Sequence, residues 1–143
     1  MNVDAILRAK GNSVATIAPD ATVARAVHEL KTRGIGALVV SEDGRGVAGI
    51  LSERDIVHAL AEHGAALMTM TVDALMTRRV VTCKPEDTVS ELMARMTERR
   101  FRHLPVIREG ALIGIVSIGD LVKSRLDEIE HEARSLRSFI AGT

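Results

Sequence analysis

The sequence predicts a mixed α/β (α+β) fold: two β-α-β-β-α repeats packed with pseudo-twofold symmetry, plus an extended C-terminal helix. Three observations carry the prediction. Pro19-Asp20-Ala21-Thr22-Val23 recurs 66 positions on as Pro85-Glu86-Asp87-Thr88-Val89. Gly49-Ile50-Leu51-Ser52-Glu53-Arg54-Asp55-Ile56-Val57 recurs 65 positions on as Gly114-Ile115-Val116-Ser117-Ile118-Gly119-Asp120-Leu121-Val122. A long period present twice marks two copies of one supersecondary unit, and the one-residue difference falls at the turns Ser41–Gly46 and Ile107–Gly110. Finally, the chain has 143 residues, so each half is too small to bury an adequate core alone and the halves should share one.

Within each copy the elements follow in order. A short β-branched stretch, Val14–Ile17 or Val80–Thr82, reads as the first strand. Thr22 and Thr88 are helix N-caps. Ala26, Val27 and Leu30, matched by Leu92, Met93 and Met96, give helical spacing. The first of these helices stops near Gly34. Ala37–Val40 and Val47–Leu51 are strands joined by Glu42-Asp43-Gly44. Leu104–Ile107 and Leu112–Val116 are their counterparts, joined by Arg108-Glu109-Gly110, with Pro105 marking a strand edge. A second helix begins after Ser52 or Ser117. Val72–Met76, in the Ala- and Met-rich linker Ala61–Thr77, reads as a short helix leading into the second copy; Val3–Arg8 plays that part for the first. The expected division is 1–66 for the N-terminal extension and first repeat, 67–125 for the linker helix and second repeat, and 126–143 for the C-terminal extension.

Composition excludes several classes. The net charge is zero and the aromatics are limited to Phe101 and Phe139. This argues against nucleic-acid binding, which needs clustered basic residues or stacking faces. No run approaches the roughly 18 apolar residues of a spanning helix, and the N-terminus lacks a signal-peptide pattern. Cys83 is the single cysteine and reads as a buried small apolar residue. The expectation is a soluble cytoplasmic protein without membrane or nucleic-acid partners. His28, His58, His63 and His131 form no close ligand cluster and read as surface or helix-face residues, so no metal site is expected. No nucleophile motif or phosphate loop is present, and the chain reads as a non-enzyme.

Two β-α-β-β-α copies, each with Gly-apolar-apolar-Ser-X-X-Asp at the last strand-to-helix turn, resemble the cystathionine-β-synthase (CBS) domain pair, or Bateman module, of the stand-alone bacterial type. The matching stretches are Ile17–Leu60 and Thr82–Leu126. The resemblance implies up to two clefts between the copies that hold adenosyl compounds. AMP is the first choice, with ADP, ATP, S-adenosylmethionine and NAD(H) as further candidates. It also implies a regulatory role and no catalytic cofactor.

The residue chemistry fits independently. Asp55 and Asp120 stand in a first helical turn, where the helix field favours a carboxylate. Two acceptor oxygens suit the cis-diol of a ribose. Ser52 and Ser117 can bond the same sugar or a phosphate. The competing reading is a capping box, in which Ser and Asp only satisfy orphan N–H groups; the two roles are compatible. For phosphate, Arg54 lies beside Asp55 while its counterpart is Gly119, so the sites are inequivalent. By resemblance, Arg102 and His103 point toward ligand phosphates, with Arg99 and Arg100 left on the surface. His103 should then make affinity rise as pH falls. Adenine is expected, again by resemblance, against Ala15 and Ile35 in one slot and Val81 and Phe101 in the other. The pseudo-twofold implies crossing: Asp120 serves the first slot and Asp55 the second.

Val122, Leu126, Ile129, Ala133, Leu136 and Ile140 form a heptad-like seam, with Glu130 and Arg134 as a favourable i,i+4 pair. The seam predicts a homodimer; a helix packed back on its own core is the alternative. The leading expectation is an adenine-nucleotide sensor that signals through its dimer or an unidentified effector protein. The rival is a structural module whose clefts stay empty.

Overall fold

A computed structural model describes residues 1–11 and 13–141. The helices are α1 (Val3–Lys10), α2 (Val23–Arg33), α3 (Glu53–His63), α4 (Val72–Leu75), α5 (Val89–Arg99) and α6 (Ile118–Ile140). The strands are β1 (Thr16–Ile17), β2 (Ala37–Val40), β3 (Gly49–Ser52), β4 (His103–Arg108) and β5 (Ala111–Ser117), and a 3-10 turn covers Gly64–Thr69.

The caps act where the sequence places them. Thr22 and Thr88 accept from the N–H groups of Arg25 and Glu91, and Gly34 closes α2 in the left-handed region at φ 63°. Only glycine adopts that conformation at no steric cost. In the first repeat β1 runs parallel to β2, and β2 runs antiparallel to β3. In the second, β4 and β5 form an antiparallel pair whose register shifts between Val106 and Ile107. That shift lies where the repeat period loses its residue.

The expected strand Val80–Thr82 is absent, and the cause is Pro105. Cys83 bridges Val106 in parallel. Its N–H donates to the Pro105 carbonyl (3.0 Å) and its carbonyl accepts from Ile107 (2.9 Å). One step back, the first repeat adds a bond from the Val39 N–H to the Ala15 carbonyl, 3.2 Å. The equivalent donor in the second repeat is Pro105, which has no N–H. The ladder stops there, and the Val81 carbonyl is left without that partner.

The single shared core expected from chain length is divided: each repeat has its own main core, and a smaller cluster of Val23, Ala59 and Leu67 lies beside the first. Ile17, Ala26, Leu30, Leu38, Val40 and Leu51 pack together in the first, and Val89, Leu92, Met96, Leu104, Val106, Val116 and Leu121 in the second. Each core is completed by the helix that precedes the other repeat. Val72 and Met76, at α4, enter the first core; Val3, Ile6 and Leu7 of α1 enter the second. The backbone bonds repeat the exchange. Val72 and Asp73 donate to the carbonyls of Ala21 and Pro19, while Val3 and Asp4 donate to those of Asp87 and Pro85. The short helices therefore do not serve the repeats that they lead into along the chain.

The exchange explains the glycine that opens both Gly-apolar-apolar-Ser motifs. A Cβ at Gly49 would lie 2.6 Å from the Met76 Sδ and 2.8 Å from the Thr77 carbonyl oxygen; one at Gly114 would lie 2.6 Å from a Leu7 methyl. Both glycines let an exchanged helix approach the sheet.

The C-terminal helix α6 runs without a break from Ile118 to Ile140, and Gly142 and Thr143 lie outside the described residues. Its buried residues are Leu121 and Ser124. Val122, Leu126, Ile129, Leu136 and Ile140 are exposed, so the seam does not fold back on the chain's own core. No helix among the described residues is long and apolar enough to cross a membrane.

Candidate functional site

The strand-to-helix turn after β3 positions the first candidate pair. The Asp55 Oδ2 accepts from the Ser52 N–H (2.9 Å) and hydroxyl (3.0 Å), and the Asp55 N–H donates to the Ser52 Oγ at 3.3 Å. After β5 the same box forms: the Ser117 N–H donates to the Asp120 Oδ2 at 2.9 Å, and the Asp120 N–H to the Ser117 Oγ at 3.2 Å. The capping role is thus present at both turns. Oδ1 of each carboxylate takes part in none of these bonds.

A cleft of about 580 Å³ opens between the repeats at the Asp55 turn. Ser52, Arg54 and Asp55 line it from the first repeat; Val81, Phe101, Arg102, His103 and Ser117 line it from the second. Asp55 therefore shares a cavity with Val81 and Phe101, across the pseudo-twofold. Asp120, Ala15 and Ile35 line neither this cleft nor a second cavity of about 490 Å³ beside Asp20 and Arg25. Ala15 and Ile35 instead pack against the first core. Asp120 carries a Lys10 ammonium at 2.8 Å on Oδ2, and the same ammonium donates to the Ile115 carbonyl at 3.0 Å.

The cleft also holds residues beyond the expected set. Arg79, Arg100 and His58, each exposed, also line it. Arg100 could have been found from the repeat. It aligns with Gly34 and takes the same left-handed conformation, φ 58°, which an arginine adopts at a cost. Among the described residues, none of Arg54, Arg79, Arg100 and Arg102 makes an ion pair or a side-chain hydrogen bond. These exposed guanidinium groups surround an inner surface that includes Ile50, Val80, Val81, Phe101 and Ile118.

His103 opens β4, opposite Ser117 in register. Its ring and the Glu53 carboxylate converge on Gly36, where a Cβ would meet His103 Nε2 at 3.4 Å and Glu53 Oε1 at 3.5 Å. Burial holds the His103 imidazole below its ordinary titration range; Asp120 and Glu53 oppose that shift, while Lys10 and Arg102 reinforce it. A pH response from this residue consequently lies on the acid side of the usual imidazole value. Burial, with Asp87 adding to it, pushes the Cys83 thiol up to about 12. Such a thiol is a packing group and a poor nucleophile at neutral pH. Among the described residues no group of three or more His, Cys, Asp or Glu side chains is placed to hold a metal ion.

A duplicated unit, exchanged short helices and a cleft between capping-box turns define a tandem-repeat binding module. The model of the CBS domain matches residues 10–62 and 72–127, and the chain belongs to that family. Its fold matches the crystal structure of the CBS-domain containing protein ATU1752 from Agrobacterium tumefaciens: 44% identity, TM-score 0.84, covering 87% of this chain and 92% of that one. It is 37% identical over 127 residues to the mitochondrial CBS domain-containing protein CBSX3 of Arabidopsis thaliana, covering 86% of this chain but only 62% of the plant protein. It also matches the CBS domain pair of MJ0100, solved in complex with 5'-methylthioadenosine and S-adenosyl-L-methionine, at 25% identity and TM-score 0.76, covering 88% of this chain and 98% of that one.

Proposed function

We propose that the chain is a regulatory module that binds a phosphorylated adenosine, AMP, ADP, ATP or NAD(H), in the cleft at Asp55. The observation that carries the reading is the concentration of four unpaired arginines around one partly apolar cleft, in a chain whose net charge is zero. Guanidinium groups suit phosphate because their fork of donors matches its oxygens. Val81 and Phe101 flank the base, and the Val81 carbonyl offers an acceptor to an exocyclic amine. The Asp55 Oδ1 and the Ser52 and Ser117 hydroxyls face the sugar. Arg54, Arg102 and His103, joined by Arg79 and Arg100, take the phosphates. The adenosyl ligands of the MJ0100 pair support the nucleoside part of this reading; the arginines favour ligands with more phosphate. We assign the protein a sensor role without catalysis, with output through a homodimer built on α6 or through an effector protein, in the cytoplasm.

Calorimetric titration with AMP, ADP, ATP, NAD and S-adenosylmethionine tests it. Saturable binding that strengthens from AMP to ADP is expected. Asp55→Asn keeps a capping acceptor and should weaken ADP binding at least tenfold, about 1.4 kcal/mol. Absence of binding by all five compounds overturns the sensor reading in favour of a structural module with empty clefts.

A further inference from the structure

The two halves of the duplication treat their aspartates differently. At Asp55 the exchanged helix α4 ends in backbone pairing. Thr77 and Ile50 exchange N–H to carbonyl bonds of 2.9 and 3.0 Å, and among the described residues no cation bonds the carboxylate. At Asp120 the exchanged helix α1 ends in a side chain instead. Lys10 reaches the Ile115 carbonyl, the counterpart of the Ile50 carbonyl, and continues to the Asp120 Oδ2. One ammonium thus takes over both the backbone acceptor and the carboxylate.

We infer that Lys10 is a latch that occupies the Asp120 turn, where no cavity is open, so that the module takes one ligand per chain. Three features support this. The helix that carries the latch is anchored: Val3, Ile6 and Leu7 are buried, and Leu7 fills the space above Gly114. The ion pair is half withdrawn from solvent, with 35% exposure of the Lys10 side chain and 25% of Asp120, so it is less screened than a surface pair. The Asp120 carboxyl is also satisfied. Burial alone would raise its titration point, but the bonds from Lys10 and the Ser117 N–H outweigh this and hold it below the usual range. A sugar diol approaching Asp120 must displace an ammonium that is already charge-matched. At Asp55 it meets no such competitor.

The inference rests on the ligand reading of the open cleft, and the test separates the two. ADP is titrated into the wild type, Lys10→Ala, Asp55→Asn and the double variant. The expected numbers of sites that fill at the ADP concentration saturating the wild type are one, two, none and one per chain. Two sites in the wild type, or one in Lys10→Ala, overturn the latch while leaving the open-cleft reading intact. No binding to any of the four proteins overturns the ligand reading and, with it, the latch. A measurement without ligand probes the ion pair directly. The Asp120 carboxyl carbon, followed by NMR, should titrate at higher pH in Lys10→Ala than in the wild type. An unchanged midpoint shows that the pair does not form in solution, and the latch fails.

Discussion

Arg100 holds a backbone conformation that the first repeat gives to Gly34. For a residue with a Cβ that conformation costs on the order of 1 kcal/mol. The fold gains nothing evident from the arginine, whereas the cleft gains a guanidinium at its rim. Arg100→Gly should therefore raise stability by up to about 1 kcal/mol in urea titrations and weaken ADP binding several-fold. A loss of stability would assign Arg100 to the fold instead. His103 makes a second residue-scale prediction. Its folded-state titration point lies below that of the unfolded chain, which stays near 6.5. The unfolded chain then binds the proton first, so this residue's contribution to stability falls as pH drops through that value. A bound phosphate reverses the preference. ADP affinity should rise as pH falls, mainly below 6.5, with proton uptake that His103→Gln abolishes; calorimetry in buffers of different ionisation enthalpy reads both effects. The Ser-X-X-Asp boxes were legible at this scale because capping is local. Arg100 was not, since within Arg99-Arg100-Phe101-Arg102 it resembles an ordinary charged turn. Lys10 was not legible either, because its partner Asp120 is distant along the chain and no spacing rule links them.

At the scale of elements, the two exchanged helices make different contacts with equivalent glycines. At Gly49 an added methyl meets a backbone carbonyl of Thr77, which cannot move without breaking the bridge to Ile50. At Gly114 it meets the end of the Leu7 side chain, which can change rotamer. Both substitutions overpack, at about 1–3 kcal/mol. Gly49→Ala should fall at the upper end and Gly114→Ala at the lower, as measured by equilibrium unfolding; the reverse order would contradict the packing described. The helices and hairpins could be read from periodicity and turn residues. The partner of each short helix could not. Val3–Arg8 and Val72–Met76 each carry an apolar face suited to either repeat, and chain order favours the nearer one. The missing strand at Val80–Thr82 had a visible cause in Pro105, but the effect depends on which neighbour Pro105 would have had to bond.

For the whole molecule, α6 is the main feature left without a covering surface. At 1.5 Å per residue it spans about 34 Å. Beyond Ser124 it carries Leu126, Ile129, Leu136, Phe139 and Ile140 in the open, while Val57 and Leu60 are exposed on α3. Exposed apolar surface of this extent marks an interaction site. A second copy of the chain is the expected occupant, because the seam is self-complementary and its flanks mix signs at Lys123, Arg125, Glu130, Glu132 and Arg137. Sedimentation should give a dimer for the wild type and a monomer for Leu126→Glu/Leu136→Glu, with the helix content of the folded protein retained. A monomeric wild type would leave this surface to a different protein.

The exchange of α1 and α4 has a consequence for separability. A fragment ending before α4 lacks the piece that seals its own interior and carries instead the piece that seals its sibling. Severing the peptide between the halves should leave them clasped, each donating what the other needs, while either half produced by itself should fail to hold its shape. A lone ancestral unit built on this plan would have had to find a twin before it could be complete.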